Sequence, residues 1–150
     1  MRSVLAFALV LLTACPASPR EAQAPAPDGG GSGAGAGPLV SSLQIQPGAD
    51  AVVFTLAVTN ATRAPVTLEF TSGQSYDFVV GDGGREVWRW SAERMFTQAL
   101  RSETLAAGET RTWREAWRPD QSLRGRELTA TARLVSSSHP LARTQSFRLP

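Results

Sequence analysis

The chain has 150 residues, room for one domain, and carries a formal net charge of +2 with one cysteine, one histidine and four tryptophans. Every basic residue is arginine, and behind the first fourteen positions fourteen arginines oppose 13 carboxylates, a near balance that excludes a basic stripe for nucleic acid. A single cysteine excludes an internal disulfide, and one cysteine with one histidine cannot supply a zinc-type ligand set.

The N-terminus reads as an export signal over residues 1–14. Arg2 precedes an unbroken apolar run, Val4–Leu12, and Leu12-Thr13-Ala14-Cys15 follows. The run is too short to span a bilayer as a mature helix. The cysteine after Leu-Thr-Ala resembles the lipobox of bacterial lipoproteins, which implies lipid attachment at Cys15. Acylation there would hold the chain on the cell membrane or the outer membrane, with the domain facing the periplasm or the exterior. From Cys15 to Pro38 the chain is mostly Pro, Ala, Gly and small polar residues, a composition expected to remain a disordered spacer with a reach of about 25–30 Å. The folded domain is expected over residues 39–150, long enough to bury a core without metal or disulfide support.

Within the domain, period-two alternation marks strands. A first is expected near Val40–Gln46. Val52–Thr59 places Phe54, Leu56 and Val58 on one face, and Asn60–Pro65 breaks it. That break contains Asn60-Ala61-Thr62, which fits a glycosylation acceptor but reads here as a strand-ending turn. Val66–Thr71 sets Val66, Leu68 and Phe70 against Thr67, Glu69 and Thr71. Further runs are Tyr76–Val80, Arg85–Trp90, Thr97–Leu105, Thr110–Trp117, Leu128–Val135 and Gln145–Leu149. Only Ser91–Phe96 has the make-up of a helical turn. Eight or nine short strands predict an all-β fold, a single antiparallel immunoglobulin-like β-sandwich.

The stretch Arg85-Glu-Val-Trp-Arg-Trp90 tests that prediction by register. A three-residue loop at Asp82-Gly83-Gly84 sets Phe78 opposite Trp88, Tyr76 opposite Trp90 and Asp77 opposite Arg89. Aromatics then share one face and opposite charges the other. A two-residue Gly83-Gly84 loop would put Phe78 against Arg89, so the three-residue loop is expected. On this reading Trp88 and Trp90 are core residues against Tyr76, Phe78 and Phe54 or Phe70. Trp113 and Trp117 share a strand face but carry Glu115 between them, which leaves open that they are surface aromatics.

The segment 54–110 resembles the BsuPI intracellular proteinase inhibitor family. The resemblance is carried by Val58-Thr59-Asn60 with Pro65-Val66, by Ser72-Gly73-Gln74-Ser75-Tyr76-Asp77-Phe78, by Glu86-Val87-Trp88-Arg89-Trp90-Ser91, by Phe96 and by Ala107-Gly108-Glu109. It implies one β-sandwich without cofactor, in a family named for a member that inhibits a bacterial serine protease. No inhibitory residue can be transferred by position.

No catalytic constellation assembles. His139 lies in Ser-Ser-Ser-His-Pro-Leu-Ala-Arg, where it reads as a solvated loop imidazole. Carboxylates are scattered, and Asp82-Gly-Gly lacks the ligand density of a calcium loop. The expected function is that of a membrane-tethered, non-enzymatic lipoprotein that binds protein, a serine protease among the partners. The rivals are a structural adaptor of the cell envelope and a carbohydrate-binding module using Trp113 and Trp117. The candidate partner-binding residues are Trp113, Trp117, Arg118, Arg124 and Arg126. The last three lie on the polar loop Arg118–Arg126, and Ser136–Arg143 is a second such loop.

Overall fold

The structure, a computed structural model, describes residues 37–150. The expected signal segment, Cys15 and all but the last two spacer residues lie outside the described residues. The described chain is all-β and antiparallel: β1 (Leu39–Pro47), β2 (Val52–Asn60), β3 (Val66–Phe70), β4 (Tyr76–Asp82), β5 (Arg85–Arg89), β6 (Arg101–Leu105), β7 (Thr110–Trp117), β8 (Glu127–Leu134) and β9 (Leu141–Arg148). One short 3-10 turn, Gln121–Leu123, precedes β8. The strands form a three-stranded sheet in the order β1-β2-β7, a four-stranded sheet in the order β5-β4-β8-β9, and the pair β3-β6.

Alternation along the strands builds the core between these sheets. β2 buries Val52, Phe54, Leu56 and Val58, and β8 buries Leu128, Ala130, Ala132 and Leu134. Phe54 is the hub. Its ring lies 5.8 Å from Phe78, 5.7 Å from Trp88 and 5.9 Å from Phe147, joining β2 to three strands of the facing sheet. Such pairs add about 0.5–1.5 kcal/mol each beyond their burial.

The β4–β5 hairpin departs from the expected register. Gly83 and Gly84 both have positive φ, 57° and 90°, which is the type I′ geometry that matches strand twist. The loop is therefore the two-residue one, with Asp82 opposite Arg85 and Gly81 opposite Glu86. A bulge between Val80 and Gly81 then shifts the register, so that Val80 faces Trp88 and Val79 faces Arg89. Trp90 N–H donates to the Phe78 carbonyl at 2.9 Å, in place of the expected pairing of Trp90 with Tyr76. The turn fixes pairing at the tip, burial fixes which face the indoles take, and one extra residue reconciles the two. Trp88 and Trp90 consequently still face the core, Trp88 on Phe54 and Trp90 on Tyr76 at 4.3 Å.

Two strand bounds also differ. β9 begins at Leu141 rather than Gln145, which shortens the second expected loop. Its serines lie on the β3 backbone: Ser137 N–H and Ser136 Oγ both donate to the Glu69 carbonyl, at 2.8 and 2.9 Å, and Glu69 N–H donates to Ser138 Oγ at 3.0 Å. This segment covers a strand edge that would otherwise expose unpaired backbone. β6 begins at Arg101 rather than Thr97, because its partner β3 ends at Phe70, opposite Arg101.

Candidate functional site

The shortened β6 leaves residues 90–100 as a connection longer than the usual median of about 4–6 residues. Ser91-Ala92-Glu93-Arg94 presents no apolar face, and the helical turn expected there is a single turn, with Arg94 N–H donating to the Ser91 carbonyl at 3.2 Å. The chain then runs without regular structure to Leu100. Yet it is held along its length.

Buried Asp77 on β4 fixes its start. The carboxylate accepts from Ser91 N–H at 3.2 Å, from Ser91 Oγ at 2.9 Å and from Arg89 Nη1 at 2.9 Å. Arg89 turns its other edge to Glu86, at 3.0 and 2.5 Å, and this pairing holds the Glu86 carboxyl below its ordinary range. Beyond the turn, Trp90 serves as a bed. The Arg94 guanidinium lies 4.3 Å from its ring centre while Arg94 Nε donates to the Trp90 carbonyl at 3.2 Å, and the Phe96 ring lies 5.8 Å from it. Trp90 Nε1 is buried without a hydrogen-bond partner, at a cost of about 1–3 kcal/mol, so ring stacking decides where the indole sits.

The β3–β4 turn holds the far half. Gly73 N–H donates to the Thr97 carbonyl at 2.8 Å, an approach so close that a Cβ at Gly73 would lie 2.8 Å from Thr97 Oγ1. Arg101 donates to the Ser72 carbonyl at 3.1 Å and to Ser75 Oγ, and stacks over Phe70 at 4.2 Å. Between these supports two large apolar side chains point into solvent, Met95 at 98% exposure and Leu100 at 85%.

The candidate residues read from the sequence are distributed differently. Trp117 is 7% exposed and stacks on Trp88 at 5.6 Å. Trp113 is half-buried against Tyr76 at 5.6 Å. Neither is a surface aromatic, because Glu115 between them also faces inward, where its carboxylate accepts the Tyr76 hydroxyl at 2.5 Å. This removes the paired exposed rings that a sugar site on β7 would need. Arg126 pairs with Asp82 at 2.8 Å and Arg124 Nη2 donates to the Ala49 carbonyl at 3.0 Å. Arg118 is exposed, and of the five Trp113 comes nearest the 90–100 connection, packing on the same Tyr76 ring as Trp90. His139 is half-buried, its Nδ1 3.0 Å from Ser138 Oγ. Among the described residues no group of three His, Cys, Asp or Glu is gathered to hold a metal ion.

A family model described as "BsuPI: Intracellular proteinase inhibitor" matches residues 39–139. The chain belongs to the BsuPI family. No curated protein matches it. Among solved structures, a Bordetella pertussis protein given the name ApaA is similar at 15% identity and a TM-score of 0.38, covering 75% of this chain and 92% of its own. An Archaeoglobus fulgidus protein is similar at 9% identity and a TM-score of 0.33, covering 75% and 95%.

The residues that carry the BsuPI resemblance now have physical roles. Ser72-Gly73-Gln74-Ser75, Asp77, Arg89-Trp90-Ser91 and Phe96 are the supports of the 90–100 connection. Asn60 meets Ala107-Gly108-Glu109 at a separate lock, where Gly108 N–H donates to the Asn60 carbonyl at 3.0 Å and Asn60 N–H to that of Glu109 at 2.9 Å. Met95 and Leu100, the exposed residues between the supports, were absent from the sequence-derived candidates. Met95 fell in the expected helical turn and Leu100 in the expected strand Thr97–Leu105, readings that marked neither as a free surface.

One support carries a pH signature. Burial, and then the hydrogen bond to Glu115, raise the Tyr76 hydroxyl above the usual tyrosine value near 10. The folded state therefore favours the protonated phenol. Its contribution is fully present below about pH 10 and is lost as pH rises through the raised folded value. The chain has one tyrosine and no lysine, so this window is nearly free of other side-chain titrations. Tyrosinate absorbance is expected to rise above pH 10 only as the protein unfolds, and Tyr76→Phe to remove that part of the alkaline slope in stability.

Proposed function

We propose that this domain is a reversible, non-catalytic inhibitor of a serine proteinase. The family match over residues 39–139 carries the class of partner. The geometry supplies a surface suited to it: an exposed connection bearing Met95 and Leu100, held by Asp77, Trp90 and Gly73. A loop fixed before binding loses little freedom on entering a cleft, and a standard interface buries about 800 Å² per partner, within reach of this connection and its neighbouring turns. Titration of the purified protein against several subtilisin-like proteinases tests the proposal. Saturable inhibition at or below micromolar concentration is expected; full activity of every enzyme at micromolar excess overturns it.

We also propose that the domain works outside the cytoplasm, tethered through lipid at Cys15. The support is Arg2, the apolar run Val4–Leu12 and Leu12-Thr13-Ala14-Cys15. The proteinase would then be one met in the periplasm or at the cell exterior, unlike the intracellular target for which the family is named. Labelled fatty acid should enter the wild-type protein in bacterial cells and be absent from Cys15→Ala; an unlabelled wild type rules the anchor out.

A further inference from the structure

We infer that Met95 is the side chain that enters the primary specificity pocket of the target, so that the target is a proteinase whose pocket is apolar. This rests on the inhibitor reading above and names the residue and substrate class within it. Four large hydrophobic residues are exposed among the described residues, Val40, Met95, Leu100 and Val135. Val40 lies on β1 and Val135 directly follows β8, its N–H bonded to the Ser75 carbonyl, so neither projects from a free stretch of chain. Leu100 immediately precedes β6, beside an arginine tied to the Ser72–Ser75 turn.

Met95 differs from all three. Its two chain neighbours, Arg94 and Phe96, both lie on the Trp90 indole, at 4.3 and 5.8 Å, and the next carbonyl, that of Thr97, is held by Gly73. With positions 94, 96 and 97 held, the side chain between them stands clear of the fold at 98% exposure. A proteinase cleft demands of its inhibitor a backbone held in place around one protruding side chain. Methionine is unbranched and polarisable and adapts to apolar slots of varied shape, whereas a pocket with an acidic base selects lysine or arginine.

The experiment exchanges specificity. Wild type, Met95→Ala, Met95→Lys and Leu100→Lys are titrated against a subtilisin-like enzyme of apolar preference and against trypsin. Met95→Ala is expected to weaken inhibition of the first enzyme about 30-fold, the size of an interface hot spot. Met95→Lys is expected to weaken it further and to begin inhibiting trypsin, while Leu100→Lys stays within about threefold of wild type on both. Because Met95 touches little of the fold, unfolding midpoints should not move. Wild-type inhibition left intact in both Met95 variants, or an exchange produced by Leu100→Lys instead, overturns the assignment while leaving the inhibitor reading in place. A wild type that inhibits nothing removes both.

Discussion

Replacing Asn60 by alanine is expected to destabilise the domain by about 4 kcal/mol, from the roughly 1–3 kcal/mol lost for each buried group left unsatisfied. Asn60 closes β2 at 0% exposure, and its amide uses nearly all its bonding capacity. Nδ2 donates to the carbonyls of Ala64, Leu105 and Ala106 at 2.8, 3.0 and 3.0 Å, three acceptors for two hydrogens. Oδ1 accepts from Thr62 N–H at 2.9 Å and Thr62 Oγ1 at 2.8 Å. One side chain thus joins the end of β2, the turn before β3 and the β6–β7 connection. Alanine removes these bonds and leaves the three carbonyls without their donor. In urea the midpoint should fall with little change in slope, and the melting temperature by about 12–20 °C. A drop under 1 kcal/mol would contradict this role. Asn60→Asp sharpens the test. The three carbonyls around Nδ2 and burial both raise the carboxyl above the usual aspartate value near 3.9. The variant should be as damaged as alanine at neutral pH and partly recover as pH falls through that raised value, where protonation restores one donor, the gain being complete near pH 4. The same burial bears out the turn reading of Asn60-Ala61-Thr62 over a glycosylation acceptor, since the amide is wholly engaged.

Asp77→Ala is the second large expected effect, about 3 kcal/mol of stability together with roughly tenfold weaker inhibition. The carboxylate is buried, with the residue at 4% exposure, and it accepts three bonds, one of them from a cation. Breaking a fully buried ion pair costs about 3–5 kcal/mol, mainly through the charge left behind. Arg89 keeps Glu86 and is one-third exposed, which places the cost at the low end of that range. The inhibitory effect has a separate origin. With Ser91 released, the start of the 90–100 connection samples other conformations, and binding must supply the ordering that the fold had already provided. Asp77→Asn keeps the shape and an acceptor for Ser91, so it should recover most of the inhibition while regaining only part of the stability. Equal inhibition by wild type and Asp77→Ala would separate the brace from function.

These residues also mark how far the sequence could be read. The strand faces were legible: Phe54, Leu56 and Val58, or Leu68 and Phe70, are buried where alternation put them, because side chains on a strand take opposite sides whatever lies beyond. The association of Asp77 with Arg89 was legible for the same reason, although the register behind it was not. Gly83-Gly84 favoured a two-residue turn, the aromatics demanded a fixed face, and the bulge that satisfies both is visible only when β4 is already paired on its other side with β8. Trp117 was ambiguous because Glu115 beside it looked incompatible with a buried face, until Tyr76 supplied its partner from the opposite sheet.

The candidate loop was the least legible part. Met95 and Leu100 have the composition of core residues, and nothing within ten positions says that β3 ends too early for the chain after Phe96 to pair. What the sequence determined by itself was the all-β class and the inward side of each strand, since both follow from local alternation and turn chemistry. What only the tertiary structure decided was the hairpin register, the burial of Trp117 and the exposure of a held Met95. Each of these depends on contacts between residues far apart in the chain, and local pattern does not encode such distances.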